Sequence, residues 1–246
     1  MVLNFGGNNI GLPPNYGSNF IAGGTTIHVK ADGTGDFTSL IAALSSLNGK
    51  WSDGYITIEI SDGTYTETGG YSEYNRDLIG IPEVVIKGES AANTIINNTT
   101  NADHFLDLFS TFFRISDLTI NRPNIAANAN SAAIRVNSNA RLHMEGIINI
   151  EGRGIGIEAY QGGDIIAWGT VNLTSTDNSI YAYSGNFYSG WKPKFTFTNC
   201  AYGFRALYGG TIHMTEPVVT FTNVTTKINV TGGTSNLNGW ITGITV

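Results

Sequence analysis

The chain has 246 residues, a formal net charge of −6 and only 13% charged residues. That length suits one large domain, and the acidic balance argues against nucleic acid or an anionic membrane as partner. A single cysteine, Cys200, excludes an internal disulfide and gives no zinc pattern.

Residues 1–24 are rich in Gly and Asn and contain Pro13-Pro14. They read as a flexible arm that attaches to a partner. The segment lacks a basic stretch followed by an apolar core, so no secretory signal is expected. Order begins at Thr26-Ile27-His28-Val29. After the turn cluster Asp32–Asp36, residues Phe37, Leu40, Ile41, Leu44 and Leu47 fall on one helical stripe. Asp36 or Thr38 is the expected N-cap and Asn48-Gly49 the stop. Short alternating segments follow at Ile56–Ile60, Val84–Ile86, Ile95-Ile96, Phe113–Ile115 and Leu118–Ile120, with insertions expected at 66–80 and 121–131.

The stretch IHVKADGTGDFTSLIAALSSL, with YITIEISDGTYTE and VVIKGESAANTII after it, resembles the opening of pectin methylesterases and related pectin-lyase-like β-helices. The likeness covers about residues 26–97 and implies a right-handed parallel β-helix with a helix over its N-terminal end. It does not extend to activity. The Gln-Asp-Thr-Leu-Tyr and Asp-Phe-Ile-Phe-Gly motifs of those esterases are absent, so no catalytic residue carries over.

Beyond residue 130 the chain repeats every 23 or 24 residues. Ile134 and Val136, Leu142 and Met144, and Ile148 and Ile150 recur as Ile157 and Ala159, Ile165 and Ala167, and Val171 and Leu173. The next turn reads Ile180 and Ala182, Tyr188, and Phe195 and Phe197. Phe204 and Ala206, Ile212 and Met214, and Val219 and Phe221 follow. Three short alternating segments per turn predict a parallel β-helix, so the expected fold is all-β, single-stranded and right-handed, over 25–246. Its turns such as NLTSTDNSIYAYSG and FTNCAYGFRALYGG are similar in style to β-helical phage tail fibres and tailspikes. That resemblance implies a homotrimer, contacts with other virion tail proteins through residues 1–24, a virion location, and binding or cleavage of host surface polysaccharide, with a purely structural virion spacer as the alternative.

Outward residues should stack in columns about 4.8 Å apart. One column is Arg135, Glu158, Tyr181, Arg205; a second is Glu145, Trp168, Trp191; a third is Tyr160, Tyr183; a fourth pairs Arg141 with Asp164. Tyr160, Trp168, Tyr181, Tyr183, Trp191 and Arg205 form the expected carbohydrate-binding strip, since aromatic faces stack on sugar rings. The alternative is that the same rings are buried between subunits or stabilise the ladder. Glu145, Glu158 and Asp164 are the candidate acids for a depolymerase. Glu158 and Asp164 each have an arginine one turn below, which favours an ionised structural ladder. His143 and His213 share a column about 14 Å apart, too far for one metal. Neither a metal nor a cofactor is expected. Asn199 and Asn223 should stack at a turn.

Overall fold

The computed structural model describes residues 2–5, 8–11, 19–72, 78, 80–99, 104–109, 111–125 and 130–238. Among them the strands coil into a parallel β-helix with three faces. From Ile56 to Thr231 each turn supplies all three faces, and strands of successive turns pair in parallel. On the first face the path runs from Thr26–Val29 through Ile56–Ile60, Glu83–Gly88 and onward to Thr234–Asn238. The second face includes Gly63–Glu67, Thr94–Asn98, Thr170–Thr174, Lys194–Thr198 and Val218–Thr222. Phe112–Arg122 and Arg141–Gly152 run through the corner between these two faces and join them into one sheet. The third face is a separate sheet of Tyr71–Ser72, Leu106–Phe109, Ala132–Asn137, Ile155–Tyr160, Asn178–Tyr183, Tyr202–Leu207 and Thr226–Thr231.

Alternation makes this possible. In Lys194–Thr198 the residues Phe195 and Phe197 are buried, and their neighbours face out. The inward columns change character along the axis. Ile96, Ile120 and Ile150 give way to Leu173, Phe197 and Phe221 on the second face. Phe187, Phe195, Phe197, Phe204 and Phe221 then pack against one another at centroid distances of 4.8 to 6.4 Å. Room for these rings comes from small residues opposite. A Cβ on Gly203 would sit 2.6 Å from the Phe221 ring, and Ala182 and Ala206 occupy inward positions of the third face. Burying each Phe contributes about 1.5–3 kcal/mol.

The helix lies at Leu40–Ser46, inside the predicted stripe, and Leu40, Leu44 and Leu47 join the core of the first turns. Its N-cap is Ser39, not Asp36 or Thr38: Ser39 Oγ accepts from Ala42 N at 3.1 Å. The Asp36 carboxylate is engaged elsewhere, accepting from His28 N at 2.8 Å. Buried Glu67 adds to the cap by accepting from Leu40 N at 2.7 Å and Ser39 Oγ at 2.8 Å. Within the stretch read as an arm, Val2–Phe5 and Asn8–Gly11 pair antiparallel. Phe20–Ile21 pairs with Trp51–Ser52, and the Phe20 and Trp51 rings meet at 4.3 Å. The predicted insertions fall partly outside the described residues.

One rung departs from the repeat. Ile165 pairs with Phe187, a step of 22, so Phe187 is the inward residue and Tyr188 faces out. Because side chains alternate with period two, a one-residue slip exchanges the faces. The register shifts again between Tyr188 and Trp191, and Thr170 pairs with Lys194 at a step of 24, which restores the phase.

Candidate functional site

The third face carries a cleft of about 490 Å³ lined by Arg135, Glu158, Tyr160, Tyr181, Tyr183, Arg205, Leu207 and Tyr208, with Asn130 and Ile155 at its margin. Its floor is the outward side of parallel strands in unbroken register. Asp107, Arg135, Glu158, Tyr181, Arg205 and Asn229 follow one another rung by rung. One wall is aromatic. Tyr160 and Tyr183 stack at 5.2 Å and 27°, Tyr183 meets Tyr208 at 4.8 Å, and Tyr181 stands edge-on to Tyr183 at 5.9 Å. Tyr208 is 66% exposed, with its ring packed against Tyr183.

Charge in the cleft is paired by stacking. The Arg135 guanidinium lies 3.7 Å from the Tyr160 ring centroid, a cation–π contact. Its Nε is 3.4 Å from Glu158 Oε2 but makes no aligned hydrogen bond. Glu158 is only 4% exposed. Burial drives its carboxyl from 4.5 up to about 7; Arg135 pulls it back down and Asp107 adds to the rise. The ladder expected to hold Glu158 ionised is therefore outweighed, because desolvation of a nearly enclosed carboxylate exceeds the attraction of one poorly aligned guanidinium. Asp107, one rung below Arg135, rises to about 6, again by burial first, against the lowering by Arg135 and hydrogen bonds from Ser72 and Asn137. Burial also lifts Tyr181 to about 12. Two carboxyls thus flank Arg135 on one column, about 9.6 Å apart at two strand spacings.

The structure divides the predicted strip. Tyr160, Tyr181, Tyr183 and Arg205 meet in the cleft with Glu158. Trp168 and Trp191 project from the first face instead, 51% and 70% exposed. They do not share a column: the 22-residue step sets Trp168 against Gly190, whose Cβ position its ring occupies, and Trp191 pairs onward with Thr215. Glu145 and Asp164 also belong to the first face. Glu145 faces Arg114 at 3.5 Å; Asp164 faces Arg141 at 3.7 Å and accepts from Asn186 at 2.9 Å. The three candidate acids are not brought together.

Sequence reasoning missed Tyr208 in the cleft and Asp107, which continues the cleft's column one rung below Arg135. Asp107 precedes Arg135 by 28 positions, because the chain from 121 to 131 enlarges that turn, so a 23-residue step does not reach it. The apolar–charged–apolar run Leu106-Asp107-Leu108, like Ile134-Arg135-Val136, was the available signal. Tyr208 was hidden because Leu207 takes the rung of Tyr183 and Tyr208 takes the corner position of Gln161 and Ser184, yet Ala-Tyr-Gln-Gly at 159–162, Ala-Tyr-Ser-Gly at 182–185 and Ala-Leu-Tyr-Gly at 206–209 repeat one corner.

Among the described residues no group of three or more His, Cys, Asp or Glu could hold a metal ion. No described helix is long and apolar enough to cross a membrane.

No protein-family model matches the chain, and no curated protein does. Among solved structures it is similar to a pectin methylesterase from carrot, at 12% identity over 87% of this chain and 89% of that one, with a TM-score of 0.36. The strand pairings above establish the chain itself as a parallel β-helix.

Proposed function

We propose that the protein is a polysaccharide-binding β-helix of the phage tail-fibre or tailspike kind, receiving host surface glycan in the cleft of the third face. The observation that carries this reading is the ladder Tyr160–Tyr183–Tyr208, which presents aromatic surface to solvent beside hydrogen-bonding groups of Arg205 and Glu158. Rigid tyrosines with a wet polar tip suit sugar rings, whose C–H faces are apolar and whose rims carry hydroxyls. In this reading residues 1–24 attach to other tail proteins, and the working form is a homotrimer. The exposed corner residues Ile147, Trp168, Trp191 and Val218 supply apolar surface for contacts between protomers.

The test is a glycan microarray followed by calorimetry. Tyr183→Ala and Tyr208→Ala weaken binding by about tenfold or more while melting within a few degrees of the parent; equal affinity in both variants refutes the cleft as the site.

A hydrolytic reading is favoured by one observation, the pair of carboxyls held partly protonated near neutral pH on either side of Arg135. Their separation lies near the upper limit for an inverting glycosidase, in which one carboxyl protonates the leaving oxygen and the other activates water. Release of reducing ends that disappears in Glu158→Gln is its expected signature.

A further inference from the structure

We propose that the glycan taken by this cleft contains a monoanionic sugar unit, a carboxylate or a sulfate ester, and that Arg205 is the residue that pairs with it. The inference rests on the glycan-binding reading of the same cleft. Arg114, Arg135 and Arg141 each face a carboxylate within 4 Å. Arg205 is half-buried and faces none among the described residues. Its one hydrogen bond runs from Nη1 to Asn178 Oδ1 at 2.9 Å. Its guanidinium is instead held between two rings, 4.7 Å from the Tyr202 centroid and 5.5 Å from that of Tyr181.

A cation withdrawn from water without a counter-charge is costly. Flanking rings recover part of that cost and fix the plane of the guanidinium, which leaves its fork oriented for a bidentate partner. The balance of charge points the same way. Arg135 lies between two carboxyls, Glu158 and Asp107, which share its charge, and Arg205 is left over. The chain as a whole carries −6, so a positive cleft on an acidic protein selects an anion locally and repels it elsewhere. One unmatched positive charge fits one negative charge; a dianionic phosphate would require a second cation.

The experiment is calorimetric titration with three oligosaccharides of one backbone: a carboxylated form, its carboxyl-reduced neutral counterpart, and a sulfated form of the neutral one. At least one anionic form should bind about tenfold or more tightly than the neutral one, the gain expected for a hydrogen bond to a charged group. The two anionic arms tell which anion the cleft takes. The preference should shrink with added salt. Arg205→Gln should abolish this preference whatever it does to neutral binding, and Arg205→Lys should keep part of it, because a point charge cannot reproduce the fork. Retention of the full preference in Arg205→Gln, or equal wild-type affinity for neutral and anionic forms, overturns the proposal while leaving the cleft a glycan site if Tyr183→Ala still weakens neutral binding. Absence of binding to all three overturns both readings.

Discussion

Glu158→Gln is the substitution whose consequence follows most directly from the cleft. In the folded protein burial raises the Glu158 carboxyl from 4.5 to about 7, so the folded state holds a proton that the unfolded chain releases. Stability from this group is fully present below pH 4.5 and is lost as pH rises through 7. At about 1.4 kcal/mol per pH unit the rise corresponds to about 3 kcal/mol, an upper figure because Asp107 and Arg135 titrate or interact with it. Glutamine mimics the protonated carboxyl at every pH. Wild type and variant should therefore melt together near pH 4.5. Above pH 7 the variant should melt higher by about 6–12 °C, from about 2–4 °C per kcal/mol for a chain of this size. The groups facing Glu158 are Arg135, Asp107, Tyr181 and Arg205, with His104 against Arg135, and Asp107, at about 6, titrates in the same window. Scanning calorimetry from pH 4.5 to 8 measures both profiles. Parallel profiles, with no convergence toward acid, would refute the argument that burial outweighs Arg135.

Other expectations are simpler. Phe197→Ala removes a ring wholly buried among Phe195, Phe204 and Phe221 and should cost about 3–5 kcal/mol in chemical denaturation. Gly210→Ala places a methyl group against the Ala182 carbonyl oxygen at the corner entering the first face and should cost about 1–3 kcal/mol by the same measurement. Trp191→Ala should leave the unfolding free energy of the isolated chain within about 0.5 kcal/mol of wild type, since 70% of the residue is already solvated. Light scattering should return a mass near three times 26.3 kDa for the proposed trimer, and a monomer would refute that part of the reading.

The fold was legible because its physics is periodic. A β-helix needs an inward residue at every second position of every strand, and Ile134, Ile157, Ile180 and Phe204 show that requirement at near-constant spacing. The cleft column was legible for the same reason: Arg135, Glu158, Tyr181 and Arg205 stand where steps of 23 and 24 place them. Sequence arithmetic failed where turn length changed. A corner one residue shorter exchanged Phe187 with Tyr188 and separated the two tryptophans, and a longer loop concealed Asp107. Ser39 outcompeted Asp36 as helix cap because Asp36 is bound to the first strand, a tertiary contact that local pattern does not contain. The protonation of Glu158 was illegible too, since a neighbouring arginine can be counted in a sequence and the loss of water around a carboxylate cannot.

The slip at Asn186–Trp191 has a consequence for how such a chain can change over time. The missing residue at one corner is offset by extra residues before Lys194, and the strands at 194–198 and 202–207 run in step with the turn before them. A deletion is therefore absorbed within a single coil. Neighbouring coils constrain one another through strand pairing and the stacking of inward side chains, so corner lengths between the strands can drift in compensated pairs. The inward columns stay fixed while outward side chains are reassigned one coil at a time. A lineage built this way can rewrite what it recognises on its surface and keep the same hydrophobic interior.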